Sequence, residues 1–140
     1  MSFLSDLYEY TKNSSTITAL VSTKIYPGLA PTSTALPYIT YEISSRTPTR
    51  HMTGVSAFVE HSIQFDALGT TEAIVNDISN ALRNVLDGFQ DTMGSTDIRY
   101  VRFENEVDNT SIESDAGNQV KIHRRTLDYV FGYVEAVPTG

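Results

Sequence analysis

The stretch AFVEHSIQFDALGTTEAIVNDISNALRNVLDG, residues 57–88, changes its periodicity at Gly69. Before the glycine, Val59, Ile63, Phe65 and Ala67 alternate with Glu60, Ser62, Gln64 and Asp66. A period of two predicts a strand with one buried face and one wet face. After the glycine, Ile74, Val75, Ile78, Ala81, Leu82, Val85 and Leu86 recur at intervals of three and four. That spacing predicts a helix with one apolar stripe. Thr70 or Thr71 is placed to cap it, Glu72 suits the first turn, and Gly88 ends it.

Upstream, LPYITYEIS (36–44) alternates Ile39, Tyr41 and Ile43 with Tyr38, Thr40 and Glu42. It predicts another half-buried strand, with Pro37 at its start, where proline is tolerated. Before it, IYPGLAPTSTALP (25–37) holds Pro27, Pro31 and Pro37. Each proline fixes φ and biases its predecessor toward extended geometry. The segment therefore predicts a stiff crossover. Phe3, Leu4, Leu7 and Tyr8 predict an N-terminal helix, with Ser2 as its cap and Asp6 in the first turn. Ile17, Leu20 and Val21 predict a short second helical turn. Downstream, DIRYVRFENEV (97–107) and KIHRRTLDYVFGYVEAV (121–137) predict two further strands. SRTPTRHMTGVS (45–56) and VDNTSIESDAGNQV (107–120) are polar and predict loops, and Pro138–Gly140 a loose tail.

The long elements run helix, strand, strand, helix, strand, strand. This order predicts an α+β fold. Its sheet is four-stranded and mainly antiparallel, with an N-terminal helix and one long amphipathic helix packed on one face. Neither a repeat nor a boundary divides residues 1–140, so one domain is expected.

The 140 residues carry seventeen acids and ten bases, a net charge of −7. That balance argues against a protein built to grip nucleic acid, which needs a basic footprint. There is no cysteine, so neither disulfides nor thiolate chemistry is available. No charged leader with an apolar run opens the chain, and no segment has the length of a membrane span. Synthesis in the cytoplasm, away from any membrane, is the expectation.

The chemistry-bearing residues do not assemble into a motif. His51, His61 and His123 are too far apart in sequence for a zinc pair. By parity His61 shares the face of Ile63, where a structural histidine is expected. There is no nucleophile elbow, phosphate loop or dinucleotide fingerprint. No catalytic residue, cofactor or metal is expected.

Two charge clusters remain. Arg46, Arg50 and His51 lie between Ser44 and Val59 without an acid. Glu104, Glu106, Asp108, Glu113 and Asp115 lie between Phe103 and Val120 without a base. They are either two solvated loops or two surfaces that meet across a subunit interface. Head-to-tail rings set different patches of one chain against each other, which opposite charges suit.

The succession resembles the tail-completion, or tail-terminator, proteins of long-tailed bacteriophages. The resemblance rests on an N-terminal helix, a proline-bearing LPYITY strand, and a loop containing Gly54. VEHSIQFDALG, AIVNDISNALRNVLDG and the closing RRTLDYVFGYVE follow in order. It spans about Leu4 to Glu135 and lies in order and spacing, not in one diagnostic motif. The acidic 107–120 segment and the Thr/Ser-rich second helix depart from the pattern. The resemblance implies a structural virion protein and not an enzyme. It implies a ring, usually of six copies, on the head-proximal end of the tail. The implied partners are the major tail tube protein, a neck or head-completion protein, and DNA only in transit through the lumen. A head-closure or neck connector is the alternative. A small ligand-binding or hydrolase domain is the less favoured one.

Overall fold

The computed structural model describes residues 3–22, 24–28, 36–50, 56–94, 96–115 and 118–136. Side-chain surroundings are described outside 46–50, 56–58, 111–115, 118–120 and 135–136. Among the described residues, three helices and six strands follow one another. They are α1 (Phe3–Lys12), α2 (Ser15–Val21), β1 (Ile25–Pro27), β2 (Tyr38–Arg50), β3 (Ser56–Gly69), α3 (Glu72–Leu86), β4 (Thr92–Met93), β5 (Thr96–Asp115) and β6 (Asn118–Ala136).

The expected four-stranded sheet is corrected to six strands, ordered β1-β2-β3-β6-β5-β4 and curled. The four central strands are antiparallel, but β1 runs parallel to β2, so the sheet is mixed. The two strands that sequence reading misses are three and two residues long. Such lengths are too short to show alternation. Their positions are set by tertiary contacts: Ile25 lies beside Ile39, and Met93 beside Thr96.

Two segments read as loops are also corrected. Residues 45–50 continue β2, paired with 57–62 of β3. Residues 107–115 continue β5, paired with 118–126 of β6. The expected cap Ser2, most of the proline-rich crossover, the loop around Gly54 and the tail from Pro138 lie outside the described residues.

All three helices lie on one face. Phe3, Leu7, Ile17, Val21, Val75, Ile78, Leu82 and Leu86 meet Ile39, Val59, Ile63, Phe65, Leu127, Tyr129 and Phe131 of the sheet in one buried cluster. Thr71 caps α3 by accepting a bond from the Ile74 amide at 3.2 Å. Gly88 follows with φ +77°, a conformation glycine adopts without strain. Asp6 stands in the first turn of α1 as expected, and it is also buried at 1% exposure and accepts a 2.5 Å bond from the Thr96 hydroxyl. That contact ties α1 to the start of β5.

Candidate inter-subunit surface

The two charge clusters sit on β2 and β5. These are the outer long strands, separated by β3 and β6. Three strand spacings amount to about 14 Å, so the clusters do not meet within one chain.

Each outer strand is covered along only part of its free edge. On β2, β1 covers Ile39 to Tyr41, and the Gly28 amide donates to the Tyr41 carbonyl at 2.7 Å. On β5, β4 covers Thr96 and Asp97, and the Gly88 amide donates to the Val101 carbonyl at 3.2 Å. Among the described residues, Glu42–Arg50 and Arg102–Asp115 have no neighbouring strand on their outer sides. Ile43 and Val107, the exposed large hydrophobics among the described side chains, fall in these two stretches at 48% and 51% exposure.

Arg46 and Arg50 occupy the β2 stretch, opposite His61 and Ala57 of β3. Their side chains lie outside the described residues, as does His51 entirely. On β5, Glu106 and Asp108 share one guanidinium. Arg125 of β6, 8% exposed, reaches Glu106 at 3.1 Å and Asp108 at 2.6 Å, and donates to Asn76 of α3 at 2.9 Å. Ser79 also donates to Glu106 at 3.3 Å. Both carboxylates thus share this guanidinium, and Lys121 and Arg124 line the same pocket as Asp108. Glu104 pairs with Arg102 at 2.9 Å. Glu113 and Asp115 are placed on β5 by backbone register only, opposite Val120 and Asn118.

The sheet face turned away from the helices is acidic over its central rows. Glu42, Glu60, Asp66, Glu104 and Asp128 stand there with Arg102. Tyr100 donates to Glu60 at 2.5 Å, and Thr126 donates to Asp66 at 2.6 Å. The Arg102 guanidinium lies 5.4 Å from the centre of the Tyr100 ring. Burial, and next the charge of Asp66, raise the Asp128 carboxyl above its usual 3.8.

His61 and His123, the histidines among the described residues, do not form a site. His61 is buried at 4%, with Nδ1 3.1 Å from the Tyr133 hydroxyl and its ring 5.2 Å from Phe3. His123 lies 3.4 Å from the Thr110 hydroxyl. His61 is level with Phe131, eight residues along β6 from His123, or about 26 Å. No three metal-ligating side chains among the described residues are arranged to hold an ion. Sequence reading found the charges but did not single out Arg125, which lies in a segment read only as a strand. Parity alone could have placed Arg125 on the face of Leu127.

Residues 5–131 match the family model described as tail completion protein gp17. The chain belongs to the tail completion protein family. It is a structural protein of the virion tail and neck. The fold is similar to that of a chain in the structure titled "Virion of native gene transfer agent (GTA) particle". The TM-score is 0.75 at 15% identity, with 96% of each chain covered. No curated protein matches the sequence significantly. No helix among the described residues of this tail completion protein is long and apolar enough to cross a membrane.

Proposed function

We propose that this tail completion protein closes into a ring, of six copies, on the head-proximal end of the tail tube. The ring ends tube polymerisation and presents the surface that a neck or head-completion protein binds. The family match over residues 5–131 carries this reading. The likeness to a chain of an assembled particle supports it. So does the placement of opposite charges on opposite edges of the sheet, the arrangement a head-to-tail ring uses. Arg46, Arg50 and His51 of one copy, and Glu104, Glu106, Asp108, Glu113 and Asp115 of the next, are the candidate contacts between copies or between rings.

DNA is in transit only. A lumen lined by the acidic outer face would repel phosphates within a Debye length of roughly 8–10 Å. No cofactor and no catalytic residue enter this role.

The test is electron microscopy of particles made without the protein. Overlong tails are the expected result. Normal free tails beside unjoined heads would overturn the capping role and assign the chain to the neck. A tagged copy should appear at the tube's head-proximal end.

A further inference from the structure

The open edges have a property that charge alone does not require: they match in direction, length and face. Along the sheet β2, β3, β6 and β5 alternate in direction. A second copy placed beside the first by rotation sets its β5 antiparallel to the first copy's β2. Four alternating strands per copy keep that alternation unbroken around any closed ring.

Register then selects the offset. Arg46 lies in the row His61–Phe131–Val101. Glu106 lies in the row of Leu127. The rows differ by 131 − 127 = 4 residues on β6. An even offset keeps each face of the sheet continuous, whereas an odd one would set the helix-covered face beside the bare one. With an offset of four, Thr49 stands opposite Arg102, Arg46 opposite Glu106, Ser45 opposite Val107, and Ile43 opposite Asp108. The paired stretch starts where Gly88 closes the edge of β5. It stops just short of β1, which closes the edge of β2. Each side carries one bulge within the stretch, after Ile43 and after Phe103.

The offset also has the right size. Four residues rise about 13 Å, and four strands span about 19 Å. The ratio corresponds to a strand tilt of about 35°, at the lower bound of the 35–45° that closed sheets require.

We infer that neighbouring copies join by β-sheet extension. The open edge of β2, residues 43–49, pairs antiparallel with residues 102–108 of β5 in the next copy. The inference rests on the ring reading. The occupant of this edge is a second copy of the chain, because the bases on β2 and the acids on β5 lie on opposite sides of one sheet and come together only between copies. The neighbour's Arg46 stands in register with Glu106, which shares Arg125 with Asp108. Exposed Val107 gains cover beside Ser45 on the opposite face.

The test uses the absence of cysteine. Ser45→Cys and Val107→Cys are introduced together, leaving every charge in place. Assembly is read by native mass measurement with tail tubes present, and bridging by denaturing electrophoresis after oxidation. A ladder of disulfide-linked multimers, running to the ring's subunit number and dissolved by reductant, is expected. Ser45→Cys with Asp108→Cys, one position along and on the other face, should give less than a tenth of that linkage. Rings by mass without the Ser45–Val107 ladder would overturn edge pairing and leave the ring intact. A chain that never assembles on tubes would overturn the ring and this contact with it. Where the double variant fails to assemble, Thr47→Cys with Asn105→Cys reads the same register one pair on, and absence of linkage there has the same meaning.

Discussion

Gly132 of β6 lies directly under the ring of Tyr100 on β5, so closely that a Cβ added to the glycine would overlap the ring. The glycine lets the ring lie flat across the strand. From there the Tyr100 hydroxyl reaches Glu60 two strands away at 2.5 Å. One missing methyl thus fixes a bond across three strands on the acidic face.

Gly132→Ala forces the ring off that position. Overpacking of this kind costs about 1–3 kcal/mol. Urea unfolding of the purified protein should show the loss. Tyr100→Ala with Gly132→Ala should cost less than the two single changes added, because the collision is gone. Additive costs would show that the glycine is needed for another reason.

Arg125→Met leaves Glu106 and Asp108 facing each other without the shared cation. Breaking a fully buried pair costs about 3–5 kcal/mol. Here the carboxylates keep contact with water, at 30% and 66% side-chain exposure. The expected loss is therefore lower, roughly 1–3 kcal/mol. Adding Glu106→Gln should recover part of it. Thermal unfolding of the three variants gives the coupling.

Asp128 titrates above its usual 3.8 because burial, and then Asp66, disfavour its charged form. The folded chain therefore holds this proton more tightly than the unfolded one. Stability from this group is full below the unfolded value and is lost as pH rises through the folded value. Asp128→Asn removes the loss. The variant should be more stable than the parent at pH 7, and the gain should vanish below about pH 4. Unfolding midpoints at both pH values decide it. A gain that persists in acid would point to the amide's hydrogen bonds instead.

Arg46→Glu with Arg50→Glu should weaken ring assembly several-fold per contact, in line with about 0.2–1 kcal/mol per exposed pair. Assembly of the parent should fall as salt rises, since rim charges act through screened attraction. Sedimentation at a series of salt concentrations measures both. A parent whose assembly ignores salt would count against the charge pairing.

The readable parts of this fold were those that bury one face. β3 and α3 lie over the core, so Val59 to Ala67 and Ile74 to Leu86 carry the period of their element. The outer halves of the two hairpins do not alternate in this way. SSRTPTR (44–50) and DNTSIESD (108–115) run as strands with no apolar alternation. Hydrophobic period reports burial and not strand geometry, so both read as loops. Pro48 strengthened that reading, although a proline is tolerated on an edge strand. The charges were legible, but their places at the two ends of the sheet were not, because strand order is a tertiary fact. Arg125 was hidden for the same reason, its partners lying on β5 and α3.

The Gly88 amide on the Val101 carbonyl closes the edge of β5 at a fixed height. In a closed sheet the number of strands and their slant together determine the radius. In the proposed ring, this amide and β1 at the other end would leave the neighbour one length of strand to grip, and so one slant. There the two small covers would act as a gauge for the bore. A loop at Gly88 that released Val101 would change the width of the hole before it changed the strength of the joint.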